Sequence, residues 1–226
     1  MNPSVVSLTL TAGVANGISL AQTPGAAGNL TITGSLAAGG IATLSPARRV
    51  QVSSTGTETA SFTIYGTNRS GAAISSTVSG VTAAAPQTTA LDFLTVTRVA
   101  ISGAGVGSIT VGTNSVGSTE WVLDNFLAPS WYLSVAVSVA GTGNYTVEHT
   151  YDDPNALMDV GSQYPLSMEP ASNVPPIAWP NTNLTAQTIN KEAQYAQQPI
   201  FAHRLTVNSG TGTATMQSIQ AGIGSP

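Results

Sequence analysis

Apolar residues alternate with threonine and serine along most of this chain, and helical spacing hardly occurs. Side chains on a strand point to opposite faces in turn, so this pattern builds strands with one buried and one wet face. The expected inward sets are Val6, Leu8 and Leu10; Leu30 and Ile32; Val50 and Val52; Phe62 and Ile64. Further along they are Val99, Ile101, Ile109 and Val111, then Leu133, Val135, Val137 and Val139, then Tyr145, Val147 and His149, and finally Leu205 and Val207. Turn-rich stretches follow at short intervals: Gly66–Gly71 before Ile74–Val78, Gly141–Asn144, and Ser209–Gly212. Each is read as the loop of a hairpin, as is the link between Val99–Ile101 and Ile109–Val111. Many short strands with frequent turns define an all-β chain of antiparallel β-sandwich units, jelly-roll or immunoglobulin-like.

Two such units are expected. Arg98–Val111 is echoed by Arg204–Met216, the first copy being one residue longer, and Arg49–Gly56 is a weaker third. A spacing of about a hundred residues suits two sandwich domains that end alike, although any Thr/Gly-rich hairpin has this texture. The expected boundary is near Ser118, which gives an N-terminal domain over 1–118 and a C-terminal domain over 119–226.

Pro154–Ile200 breaks the pattern, with seven of the thirteen prolines, two of the four methionines, and little alternation in its 47 residues. Connections inside domains are usually a few residues long, so a segment of this length is commonly functional. Its aromatic and methionine content sets it apart from a flexible linker. The expectation is an extended arm that orders against a neighbouring subunit through Met158, Tyr164, Met168, Trp179 and Tyr195, with a short helix over 186–197. A lid on its own sandwich and plain disorder are the alternatives.

Only 7% of the 226 residues are charged, against about a quarter in an ordinary domain. Six basic and ten acidic residues, with no basic cluster larger than Arg48-Arg49, offer no footprint for a nucleic-acid backbone. There is no cysteine, which removes thiol catalysis and thiolate metal sites. No run approaches the roughly 20 apolar residues of a membrane helix. The first residues lack the charged start of a secretory signal, so the chain is expected to be made in a cytoplasm without conventional export.

The inventory for catalysis is thin. His149 with Asp152 or Asp153 has the composition of a base and its orienting partner, but no nucleophile accompanies it, and a structural histidine at the strand's end is favoured. Asp152-Asp153-Pro-Asn lacks the alternating ligands of a calcium loop and reads as a turn. His149 and His203 are too few for zinc unless carboxylates join them. Gly103–Gly107 superficially matches a phosphate loop, but strand follows it and no lysine does. Four Asn-x-Ser/Thr sequons are discounted as chance in so Ser/Thr-rich a chain. Trp121, Trp131, Tyr132 and Trp179 are candidates for an aromatic sugar platform, with core anchoring of Trp121 and Trp131 the competing reading. The chain is therefore read as a non-enzyme with no cofactor and no metal.

The strings Pro46–Val50, Phe62–Thr67 with Thr77–Gly80, and Phe93–Gly103 come from the first half of the chain. Ile109–Ser118, Tyr145–Pro154 and Arg204–Ala214 follow in the second. In this order they resemble a family of small virion structural proteins encoded in the head modules of tailed, particularly short-tailed, bacteriophages. The resemblance spans about Leu30–Gly222. It implies a capsid decoration or cement protein that partners the major capsid protein and itself, with trimers at local three-fold positions preferred over dimers. It implies no catalytic residues and no direct contact with nucleic acid or membrane. Localisation would be the capsid surface of the virion, after assembly in the host cytoplasm. A head–tail junction or tail-fibre attachment component is the runner-up, and a carbohydrate-binding module is the alternative from another class.

Overall fold

Strand β1 (Ser4–Thr9) opens the chain, and residues 12–115 then carry eight more strands. These are β2 (Ser19–Gln22), β3 (Gly28–Asn29), β4 (Ala37–Ala38), β5 (Ile41–Ser54), β6 (Phe62–Thr67), β7 (Ala73–Val78), β8 (Gln87–Ile101) and β9 (Ile109–Thr113). The remainder holds β10 (Gly117–Ser118), β11 (Val122–Leu123), β12 (Tyr132–Ala140), β13 (Gly143–Thr150), β14 (Trp179–Pro180), β15 (Lys191–Ala196), β16 (Ala202–Gly210) and β17 (Thr213–Ala221). This computed structural model describes residues 3–125, 132–154, 177–196 and 199–221. The chain is all-β, and its sheets are antiparallel. Among the described residues no helix is long and apolar enough to cross a membrane.

The chain divides into two compact units, one over 12–115 and the other combining the N-terminal strand with the residues from 116 onward. Residues 4–9, which the expected boundary near Ser118 puts in the first domain, thus belong to the second unit. The cause is pairing: β1 runs antiparallel to β17, from Ser4 opposite Ser218 to Thr9 opposite Thr213.

In the unit over 12–115, one sheet runs in the order β2-β9-β5-β8-β6-β7, with β3 on β8 and β4 on β5. Residues from both ends of that order share one core: Ile18, Ile109 and Val111 cluster with Phe62, Ile64, Ile74 and Val78. The sheet must therefore curl on itself. Register shifts in the β5–β8 ladder, between Thr43 and Arg48 and between Arg49 and Gln51, supply bends of the kind that bulges make. Phe62, Ile64 and Phe93 are fully buried, each contributing roughly 1.5–3 kcal/mol.

The expected β8–β9 hairpin does not form. Both strands pair with β5, on either side of it, so the turn-rich link crosses over β5.

The second unit has two sheets, β1-β17-β12-β15 and β10-β16-β13-β14, with β11 also on β16. Leu8, Leu133, Val135, Val137, Ala214 and Met216 from the first sheet share a core with Tyr145, Val147, Leu205 and Val207 from the second. Here too the expected hairpins take another form. β12 pairs with β17 while β13 pairs with β16, so a two-stranded ribbon passes from one sheet into the other. At the corner the Thr211 and Gly212 amides both donate to the Thr142 carbonyl, at 3.1 and 2.7 Å. Gly210 has φ +97°, and a Cβ there would stand 2.4 Å from that same carbonyl oxygen, so only glycine fits the turn.

The described part of the expected arm is folded onto its own unit. β14 pairs with β13, a 3₁₀ turn spans Thr182–Leu184 with Asn181 capping it, and β15 pairs with β12. The short helix expected over 186–197 is corrected: Lys191–Ala196 form a strand whose Ala193 and Tyr195 point into the core.

Candidate functional site

At one end of the second unit the apolar core gives way to polar rings. Alternation along β13 turns Tyr145, Val147 and His149 inward, and along β16 it turns Val207, Leu205 and His203 the same way. His149 and His203 are direct cross-strand partners. In that row Val122 lies beyond His203, and Trp179 lies beyond His149.

His203 is completely buried, and its Nδ1 lies 2.8 Å from Oδ2 of Asp124, itself 9% exposed. The Asp124 amide donates to the Phe201 carbonyl at 2.9 Å, which fixes the carboxylate beside the ring. A carboxylate oxygen at that distance accepts from the ring N–H at Nδ1, which fixes the ring's orientation. The ring's Nε2 has no hydrogen-bond partner among the described residues. A buried His–Asp pair orients an imidazole as hydrolase triads do, but the described residues place no hydroxyl on it.

His149 has a different setting from the one its neighbours in sequence suggest. Asp152 accepts from the Ile177 amide at 2.8 Å, and its own amide donates to Thr150. The contact His149 makes is to Tyr195, with Nδ1 3.4 Å from the phenol oxygen, and its ring meets Tyr151 and Tyr195 edge-on at 5.6 and 5.3 Å. Burial pushes His149 below its ordinary value, favouring neutral imidazole. Burial also pushes the Tyr195 phenol up to about 12, against a hydrogen bond from Asn181 and with the help of Asp124 and Tyr151.

A histidine kept neutral by burial makes stability depend on pH. The unfolded imidazole takes its proton near 6.5 and the folded one only below that. This contribution is complete above 6.5 and is lost as pH falls from there toward the folded-state value. Thermal unfolding between pH 7 and 5 should show a falling melting temperature, and His149→Gln should flatten that fall. An unchanged slope in the variant assigns the pH dependence elsewhere.

Of the five expected anchors, Met158, Tyr164 and Met168 lie outside the described residues. Tyr195, expected as an anchor against a neighbouring subunit, is a core residue of its own unit: pairing of β15 with β12 sets it opposite Leu133, and both point inward. Trp179 is 53% exposed on β14, with Ile177 at 63% and Tyr151 at 56% nearby. Tyr151 meets the His149 ring edge-on, Trp179 is the cross-strand partner of His149, and the Ile177 amide is held by Asp152.

The sugar-platform aromatics do not converge. Trp121 is covered by the Arg204 guanidinium, 4.4 Å from the ring centre, and Arg204 is held by Glu148 at 2.7 Å. Trp179 is on the opposite edge of that sheet, Tyr132 is on the other sheet, and Trp131 lies outside the described residues. An open depression of about 470 Å³ on the outer face of the four-stranded sheet is lined by Val5, Ala136, Ser138, Glu192 and Gln217 among others, with no aromatic ring.

The glycine loop in the other unit already holds an anion of its own. The Glu58 carboxylate accepts from the Val106 and Gly107 amides at 2.9 Å and from the Ser54 hydroxyl at 2.5 Å. Burial raises this carboxyl, and the three donors more than reverse that, leaving it below the ordinary range. The loop is a clamp between the β8–β9 link and the turn after β5. Among the described residues no group of three His, Asp or Glu side chains is placed to hold a metal.

Comparison of the chain with family models, curated proteins and solved structures found no match in any of the three.

Proposed function

We propose that this chain is a non-enzymatic structural protein of a bacteriophage virion, a decoration or cement protein that binds the outside of the shell and bridges major capsid protein subunits. The ordered strings that resemble phage head proteins support this reading. The observation that carries it is the exposure of Trp179, Ile177 and Tyr151, three large apolar side chains near the paired His149 and Trp179 positions. Exposed aromatic groups of this kind supply much of the energy of protein interfaces. In sequence they flank the stretch that contains Met158, Tyr164 and Met168, which supports reading this end of the second unit as the contact surface.

The test is the number of copies per purified particle, measured by quantitative mass spectrometry against the major shell protein. Hundreds of copies, near one per shell subunit, are expected. A dozen or a few dozen would overturn the assignment and move the protein to the head–tail junction or tail. Shells stripped of the protein and offered the Trp179→Ala chain should rebind roughly tenfold more weakly or worse.

A further inference from the structure

We infer that β1 is a self-pairing edge: two copies of this chain join antiparallel along Ser4–Thr9 about a two-fold axis, merging their four-stranded sheets into one of eight strands. A sheet edge presents unpaired amides and carbonyls, and proteins normally guard it with charge, proline, bulges or very short strands. Several other edges of this molecule show such guards. β15 begins with exposed Lys191 and Glu192, while β10, β11 and β14 are two residues long, the last ending in Pro180. At β2 the Gln22 side chain folds over to bond both the amide and the carbonyl of Thr31.

β1 has none of these. Its register with β17 is unbroken over six residues, it contains no charge and no proline, and its outer edge pairs with no strand among the described residues. It also exposes 60% of Val5, an apolar side chain beside open backbone. The other six-residue edge without charge, β7, buries its Ile74 and Val78.

The occupant follows from symmetry and charge. An antiparallel edge is its own complement, because a two-fold axis sets each donor of one copy against an acceptor of the other. No like charges meet, since β17 behind β1 is uncharged as well. Inner residues must meet inner residues for the two cores to stay in phase, which puts the axis at Val6 or at Ser7. Val5 then faces Ser7 or Thr9 of the second copy and is covered. This predicts a two-fold dimer of the free chain, in place of the trimer that the phage resemblance implies, and it does not depend on the shell-binding reading.

Sedimentation equilibrium of the full chain is the experiment. A dimer is expected, with Val5→Lys weakening it by roughly tenfold or more, because the axis brings two new cations together. Val5→Thr should leave it intact. The side chain at position 5 is exposed, so equal melting temperatures will show that both variants fold. As the chain has no cysteine, Val6→Cys or Ser7→Cys, whichever lies on the axis and so faces its own copy, should give an intersubunit disulfide on mild oxidation, and Glu192→Cys on the opposite edge should not. A monomer at all concentrations, an oligomer indifferent to Val5→Lys, or equal cross-linking on the two edges would overturn the inference.

Discussion

Gly66→Ala is expected to destabilise the unit over 12–115 by about 3 kcal/mol or more while leaving the other unit unaffected. Gly66 lies in β6 where the ladder to β8 shifts register, between Tyr65 opposite Arg98 and Gly66 opposite Val96. A Cβ at this position would stand 1.8 Å from the Thr95 carbonyl oxygen, 2.8 Å from its carbon and 3.1 Å from the Phe93 ring. The first two are backbone atoms of the central strand β8, and Phe93 is fully buried, so none can swing aside. Overpacking of a filled core costs about 1–3 kcal/mol where side chains can adjust, and a clash with ladder backbone belongs at or above the top of that range.

Hydrogen exchange measured by segment provides the readout. Protection should fall across β5, β6 and β8 and persist in β12, β13, β16 and β17. All three tryptophans lie outside 12–115, so the fluorescence transition should change little. Gly71→Ala is the contrast, at a positive-φ turn with open space around it, and should cost only about 1–2 kcal/mol. Similar losses in the two variants would show that the bulge at Gly66 is not tight.

Period-2 alternation states which face of a strand is buried, and here it did so well. Leu8, Leu30, Val50, Phe62, Val99, Ile109, Leu133, Val147 and Leu205 are all core residues. It carries no information on partners, because pairing is decided by contacts far apart in sequence. A short glycine-rich link looks like a hairpin loop whether its two strands pair, straddle a third strand as β8 and β9 do, or turn a corner between sheets as β12–β13 and β16–β17 do. The N-terminal strand had an expected inward face and no visible address. In the proline-rich stretch, the alternation of Ala193 and Tyr195 is too short to stand out from its surroundings.

The buried histidine pair was half legible. His203 keeps step with Leu205 and Val207, and a polar residue in phase with an apolar face is a signal of a buried partner. That partner, Asp124, is 79 positions away in sequence and sits beside β11, a strand too short for periodicity to reveal. Proximity in sequence offered only His149 with Asp152 or Asp153, a pairing already disfavoured against a structural histidine, and the Asp152 carboxylate serves the Ile177 amide.

Asp124→Ala is the second large effect expected. With the carboxylate gone, the completely buried His203 ring would have no acceptor for its Nδ1 proton, and its Nε2 already has no partner among the described residues. Removing one member of a buried charged or polar pair costs about 3–5 kcal/mol, because the survivor stays desolvated. Asp124→Asn should cost less, since an amide oxygen can still accept from Nδ1. His203→Leu combined with Asp124→Ala should recover part of the loss by removing the orphaned group. Urea unfolding followed by tryptophan fluorescence reports on the right unit, because Trp121 and Trp179 lie within it. A double-mutant cycle on the four chains then isolates the coupling. Coupling near zero, or a loss under about 1 kcal/mol for Asp124→Ala, would mean that His203 finds another acceptor when Asp124 is absent. A large coupling makes this pair a principal lock on the end of the unit that presents Trp179.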